Sequence, residues 1–231
     1  MTMLAAILYD LDGTIVNTDP LHFRIWQALL KEHGIEIDEE FYKNRMSGRL
    51  NPFIVRDLFP EFSSEEVIKF SDRKEAEFRE LAAELTPIPG LLEVIAWADE
   101  RGIKQAVVTN APPENAKHML SVLNLEHRFE RVFVSQEIGM AKPDPEPYLY
   151  ALAYFGLNAQ QALVFEDSPS GIRSAVGAGI STVGIASSQT PSELYDLGVM
   201  LAIPDFKDSQ LWKLLGKSGV GSGRVGVGEE S

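Results

Sequence analysis

The stretch Leu4-Ala5-Ala6-Ile7-Leu8-Tyr9-Asp10-Leu11-Asp12-Gly13-Thr14 decides how the rest of the chain is read. A short apolar run ends in two carboxylates spaced one residue apart, then a glycine and a threonine. The run has strand length and no strict apolar–polar alternation, which suits a strand covered on both faces of a parallel sheet. Side chains repeat every second residue on extended backbone, so Asp10 and Asp12 face the same side. Gly13 lets the chain turn away without a steric penalty. In open α/β sheets, sites form just beyond the carboxyl ends of the strands. Two like charges held this close repel, and either a bound cation or a shared proton would offset them. Asp and Gly are also common turn residues, so this stretch alone fits an acidic turn equally well.

Downstream, residues 15 to 85 read as consecutive helices with no strand. Phe23, Trp26, Leu29 and Leu30 follow helical spacing, and Gly34 fits a helix stop. Pro52 opens a helix over 53–59 that closes before Pro60. Ser63 or Ser64 caps a long helix, with Glu66 completing a capping box from Ser63. That helix is predicted to reach about residue 85 with Val67, Phe70, Phe78 and Leu81 inward. From Pro87 the texture changes. Strands at 104–108, 131–134, 162–165, 181–185 and 201–203 alternate with helices at 91–101, 113–123, 147–155 and 169–178. Such alternation implies right-handed βαβ units and an α/β fold with a doubly wound parallel sheet. The expected organisation is a core over 1–15 and 86–215, with an all-helical cap over 16–85 inserted after the first strand. Pro87 and Pro89 flank Ile88 as a stiff hinge, and the Gly/Ser-rich residues 216–231 read as a flexible tail.

Composition narrows the function classes. With 231 residues, 45% hydrophobic and 24% charged, the chain is long enough to bury a sizeable core. A formal net charge of −13 argues against nucleic acid or an anionic membrane as partner, because phosphates repel an acidic surface. The absence of cysteine removes disulfides, cysteine zinc sites and thiol nucleophiles. No basic region precedes the first apolar run, and Asp10 interrupts it, so neither a secretory signal nor a membrane span is expected. The reading is a soluble, cytoplasmic protein.

Four polar groups fall at or just past the ends of four predicted strands: Asp10/Asp12, Thr109/Asn110, Lys142 and Glu166/Asp167. Strand ends of a parallel sheet share one edge, so these groups can converge although the sequence separates them widely. Each also has a plain reading: a turn for Thr109-Asn110, a surface lysine for Lys142, and a helix cap for Glu166-Asp167-Ser168.

In order and approximate spacing, Asp10-x-Asp12-Gly13-Thr14, Thr109-Asn110, Lys142-Pro143 and Glu166-Asp167 resemble the four motifs of the haloacid dehalogenase-like superfamily. The helical insertion after the first motif resembles the cap of its beta-phosphoglucomutase and phosphoglycolate phosphatase branch. Thr18-Asp19-Pro20-Leu21-His22 resembles the segment that follows the first motif there, and Gly48-Arg49 and Arg73-Lys74 resemble cap residues that meet the substrate. The resemblance implies a Rossmann-like core and Asp10 as the nucleophile, forming an aspartyl-phosphate. It implies Mg²⁺ held by the Asp10 and Asp167 side chains and the Asp12 backbone carbonyl, with Glu166 either in direct contact or one step removed. Asp12 becomes the general acid and base, both of which a carboxyl carries if its pKa is raised by negative neighbours. Thr109 and the Asn110 backbone N–H hold phosphoryl oxygens, and Lys142 offsets accumulated charge.

His22, Arg49 and Lys74 are the cap-side candidates for substrate binding, although the charged neighbours of Lys74 also suit a solvated helix face. The expected substrate is a small phosphorylated metabolite such as a sugar phosphate, and the expected assembly a monomer or weak dimer. A phosphatase is the first reading. Beta-phosphoglucomutase, a catalytically silent phospho-ligand-binding protein and a receiver-like phosphoacceptor are the alternatives.

Overall fold

The computed structural model describes residues 4–47 and 49–216, so Gly48 and the predicted tail beyond Gly216 lie outside the described residues. Six parallel strands form one sheet in the order β3-β2-β1-β4-β5-β6. They are β1 (Ala6–Tyr9), β2 (Lys104–Thr109), β3 (Arg131–Val134), β4 (Ala162–Glu166), β5 (Ser181–Ile185) and β6 (Leu201–Ile203). β1 lies between β2 and β4, with Tyr9 opposite both Val107 and Phe165. The order reverses beside β1, which places a crevice at its carboxyl end, the position where doubly wound sheets bind ligands.

Period two sorts the β1 side chains between the two faces. Ile7 and Tyr9 pack into one cluster with Val107, Leu163, Phe165 and Val183, whereas Ala6 and Leu8 join Ala106, Val108 and Val164 on the other. Every β1 residue is completely buried, which explains why the run lacks polar alternation. The second face is covered by α8 (Glu146–Phe155) and α9 (Pro169–Gly177), and the first by α5 (Leu91–Asp99), α6 (Pro113–Val122) and α11 (Ser209–Leu214). Two short helices, α7 (Ser135–Ile138) and α10 (Pro191–Asp196), follow β3 and β5. Sequence periodicity did not reveal α7, α10 or α11, each of which has six residues or fewer.

Between β1 and α5 the chain forms α1 (Asp19–Glu32), α2 (Glu39–Arg45), α3 (Asn51–Leu58) and α4 (Ser64–Leu81). The Ser63/Glu66 capping box is present at the start of α4, with the Glu66 carboxylate accepting from the Ser63 backbone N–H at 2.8 Å. Val67, Phe70 and Phe78 point inward as predicted, but Leu81 is 46% exposed. The α-helix ends there in a 3₁₀ turn over Ala82–Glu84, and Ala82 takes the inward place one turn after Phe78. The two strands of chain joining these helices to the sheet run side by side: Val16 bridges Pro87, and Ile88 N–H donates to the Ile15 carbonyl at 2.9 Å. Among the described residues no helix is long and apolar enough to cross a membrane.

Candidate active site

Each strand end delivers its polar group into a cleft of about 1590 Å³ between the sheet edge and helices α1–α4. Asp10 follows β1 directly and is 7% exposed; Lys142, in the loop past β3, is 6% exposed. The Lys142 ammonium donates to Asp10 Oδ1 at 2.6 Å, Glu166 Oε1 at 2.7 Å and the Val108 carbonyl at 2.8 Å. An ammonium has three protons, and all three are used. Burial alone would lower the pKa of this lysine. The adjacent Asp10 and Glu166 carboxylates outweigh that cost and hold its pKa well above the ordinary value. A single cation between two anions leaves the cluster one negative charge in excess.

Asp167 adds a third carboxylate beside Asp10 and Glu166, and the pKa values of Asp10 and Asp167 both rise. Burial pushes the Asp10 carboxyl up to about 8; Lys142 opposes the shift, and Glu166 and Asp12 add to it. Asp167 rises well above its ordinary value, through burial first and then the charges of Glu166 and Asp10. Its Oδ2 accepts from the Ser187 and Ser188 hydroxyls at 3.1 and 3.3 Å, while its buried Oδ1 has no protein partner. A buried orphan oxygen normally has a partner that the protein chain does not provide. Asp10, Glu166 and Asp167 can each aim a carboxylate oxygen such that all three lie within 4.8 Å of one another. Oxygen-only donors of this kind suit a hard divalent cation, so the residues fit the Mg²⁺ implied by the motifs. Gly13, at φ +81°, has no Cβ to collide with the Asp167 carboxylate, and any side chain there would displace it.

Asp12 departs from expectation. Burial pushes its pKa up, but His22 and the Thr18 hydroxyl outweigh that, and Lys74 adds to them, so its pKa lies below the ordinary carboxylate value. Thr18 donates to Asp12 Oδ1 at 2.7 Å, and His22 Nε2 stands 3.6 Å from the same oxygen. Its neighbours on the helical side are donors, not the negative groups that a raised pKa required.

His22 stacks on the Phe78 ring with centroids 4.3 Å apart, and its Nδ1 lies 2.8 Å from Lys74 Nζ. Lys74 is 3% exposed, which removes the solvated-face reading. Its ammonium also donates to Glu75 at 2.9 Å, and Glu75 in turn accepts short hydrogen bonds from Asn51 on α3 and Asn115 on α6. Arg79 donates to Asn115 Oδ1 at 2.8 Å. The helical wall is thus tied to the core helix α6. Arg49 is placed otherwise: it lines the cleft, but its exposed guanidinium donates to Asp57 at 2.7 Å and to the Arg45 carbonyl at 2.8 Å.

Thr109 is buried, and its hydroxyl accepts from the Ala111 N–H at 2.9 Å, leaving its own proton free to donate. The Asn110 side chain has a role that its motif position did not disclose. Its Oδ1 accepts from the Ser135 hydroxyl and the Lys142 N–H, and its Nδ2 donates to the Lys142 carbonyl, which clamps the lysine loop. Glu75, Asn115, Asn51 and Ser187/Ser188 likewise carried no sequence signal. They act through partners 20 or more residues away, Lys74 excepted.

Known proteins resemble this chain in sequence and in fold. A validoxylamine A 7'-phosphate phosphatase of Streptomyces hygroscopicus is 27% identical over 201 residues, 86% of this chain and 93% of that protein. A phosphorylated carbohydrates phosphatase of Thermotoga maritima is 29% identical over 184 residues, 78% of this chain and 84% of that protein. The crystal structure of beta-phosphoglucomutase from Clostridium difficile shares the fold, with TM-score 0.79 at 23% identity over 93% of this chain and 96% of that one. The family model described as haloacid dehalogenase-like hydrolase matches residues 7–185, from the middle of β1 to the end of β5. The chain belongs to the haloacid dehalogenase-like hydrolase family.

Proposed function

We propose that this protein is a divalent-cation-dependent phosphatase of small phosphorylated metabolites such as sugar phosphates, working through an aspartyl-phosphate on Asp10. One observation carries the reading: Lys142 fixes Asp10 at 2.6 Å while the neighbouring Asp167 presents a buried oxygen with no partner. The Asp10 and Asp167 side chains and the Asp12 backbone carbonyl would hold the cation, Mg²⁺ by the motif resemblance. When bound, it supplies positive charge against the substrate phosphate.

In this mechanism an Asp10 oxygen attacks phosphorus and the bond from phosphorus to the ester oxygen breaks. Asp12 gives its proton to the departing oxygen, releasing the alcohol. Water then attacks the phosphoryl group, Asp12 takes its proton, and Asp10 is regenerated as inorganic phosphate leaves. The lowered pKa of Asp12 works against the first of these roles. A phosphate dianion brought beside it favours protonation, so the substrate itself restores the acid. The Thr109 hydroxyl and Asn110 N–H bind phosphoryl oxygens, and Lys142 holds Asp10 against the incoming negative charge. His22 and Lys74 keep Asp12 oriented from the helical side, and Arg49 meets the remainder of the substrate.

Asp10→Asn is expected to abolish turnover of p-nitrophenyl phosphate in Mg²⁺, and full retained activity would overturn the mechanism. A panel of sugar phosphates, with beta-glucose 1-phosphate and its bisphosphate activator included, tests the acceptor. Release of inorganic phosphate supports the phosphatase; glucose 6-phosphate forming faster than free phosphate replaces it with the mutase.

A further inference from the structure

Three carboxylates surround the cation position, but they are not equivalent. Glu166 is completely buried, and both of its oxygens are already occupied. Oε1 accepts from the Lys142 ammonium at 2.7 Å and from the Tyr148 hydroxyl at 3.2 Å. Oε2 accepts from the Asp167 N–H at 2.9 Å, the Ser168 N–H at 3.0 Å and the Ser168 hydroxyl at 3.2 Å. A carboxylate offers about four lone-pair sites in total, so five donors leave none for a cation. Asp167 is the opposite case, with one oxygen held by two serines and the other orphaned.

Two residues outside the motif assignments create the Glu166 seat. Gly171, in the first turn of α9, packs against it so closely that a Cβ there would overlap the carboxylate. Tyr148, in the first turn of α8, is completely buried; its ring centroid lies 5.1 Å from the Lys142 ammonium while its hydroxyl donates to Glu166. Lys142 and Glu166 are therefore enclosed together, by aromatic ring on one side and helix backbone on the other.

We propose that Glu166 is a positioning residue for Lys142 and not a ligand of the cation, and that Tyr148 and Gly171 hold it in that role. The inference rests on the phosphatase reading above. Glu166 locks the lysine so that one ammonium proton is aimed at Asp10, and Asp10 and Asp167 are the side chains left to take the cation. For Glu166 to coordinate, it would first have to give up Lys142, Tyr148 or the turn that caps α9.

The test separates metal binding from turnover. Calorimetric titration of the EDTA-treated full chain with Mg²⁺ alone is compared for the wild type and for Asp167→Asn, Glu166→Gln, Tyr148→Phe and Gly171→Ala. Asp167→Asn is expected to weaken Mg²⁺ binding by tenfold or more, on the order of a lost ligand, while Glu166→Gln and Tyr148→Phe stay within about threefold of wild type. Turnover of p-nitrophenyl phosphate should nonetheless fall, roughly 100-fold for Glu166→Gln and 10-fold for Tyr148→Phe, in kcat with little change in KM. Gly171→Ala should lower kcat with them, because the added methyl displaces Glu166.

Mg²⁺ binding weakened by Glu166→Gln as much as by Asp167→Asn would overturn the proposal. So would an unchanged kcat in Tyr148→Phe, which removes one hydroxyl and decides the question even where Glu166→Gln fails to fold. Wild-type protein that binds Mg²⁺ but hydrolyses no phosphate ester would instead defeat the phosphatase reading, and the calorimetry does not depend on that.

Discussion

The two walls of the cleft are built by different rules. On the sheet side, Asp10, Thr109 and Asp167 sit at or next to a strand end, and Lys142, in the loop after α7, is held by the Asn110 side chain and by its own bonds to Asp10, Glu166 and the Val108 carbonyl. The Lys142–Asp10–Glu166 cluster is almost wholly inaccessible to solvent. On the helical side, His22, Lys74 and Glu75 sit on helices and reach the core through side chains alone: His22 toward Asp12, Glu75 and Arg79 to Asn115. Among the described residues, the Lys142 cluster and Asp167 take no hydrogen bond from helices α1–α4. The helical wall meets the sheet side through those side-chain links.

Removing Lys142 should break the sheet wall most severely. Two buried carboxylates would lose their common cation, and leaving buried charge unpaired costs roughly 3–5 kcal/mol. Lys142→Ala is expected to lower kcat on p-nitrophenyl phosphate by about 10³-fold, in the range of removing one preorganised donor, and to lower Tm. A variant that keeps wild-type kcat would show that the wall does not depend on its lysine.

The link between the walls is next in size. Asn115→Ala removes the core partner of Glu75 and leaves that partly enclosed carboxylate short of a donor, a loss of about 1–3 kcal/mol. A sugar phosphate should lose about tenfold in kcat/KM, while the Mg²⁺ titration is unmoved because nothing on the sheet wall changes. Equal loss of Mg²⁺ binding would show that the two walls are not separable.

Acid–base behaviour of the protein without metal sharpens the contrast further. Asp10 is pushed up to about 8 and Asp167 is raised in the same sense, so the fold favours their neutral forms. The stability this contributes is complete below the ordinary aspartate value of about 4 and is lost as pH rises through the raised values. The EDTA-treated protein should therefore lose Tm between pH 5 and 8, taking about 5 as just above that ordinary value. Added Mg²⁺, which binds the ionised carboxylates, should raise Tm more at pH 8 than at about pH 5. A Mg²⁺ effect independent of pH would remove these two carboxylates from the cation site. Asp12, held low by His22 and Thr18, does not share this behaviour.

How much of this was legible in the sequence follows the same division. Asp10, Asp12, Lys142 and Asp167 could be placed because strand period and parallel topology carry strand ends to one edge. The side-chain duty of Asn110, tied to a loop 32 residues away, could not be, since a motif position does not say which atom of the residue works. Lys74 was disguised by Asp72, Arg73, Glu75 and Glu77. On α4 it shares the buried stripe of Ser71 and Phe78, whereas Arg73 is spent outward on Glu32 and Glu77. The direction of the Asp12 pKa was not legible, because the groups that outweigh its burial are Thr18 just ahead of α1, His22 on α1 and Lys74 on α4.

Arg49 carries the smallest expected effect and the finest distinction. As a planar, permanently charged group it is the natural choice for gripping a second anionic part of a substrate. Its guanidinium is paired with Asp57, with side chains 39% and 49% exposed, and an exposed pair of this kind contributes no more than about 1 kcal/mol. The pair is therefore weak enough to open for a ligand and too weak to matter for the fold. Arg49→Ala should shift Tm by no more than about 2–4 °C, given that scale. It should raise KM for a sugar phosphate about threefold with kcat intact, and leave p-nitrophenyl phosphate unaffected because that substrate offers no sugar hydroxyls and no second anionic group. Asp57→Ala, which frees the same guanidinium, should lower that KM. If both variants leave KM for the sugar phosphate unchanged, the helical wall reads its substrate through His22, Lys74 and Glu75 without Arg49.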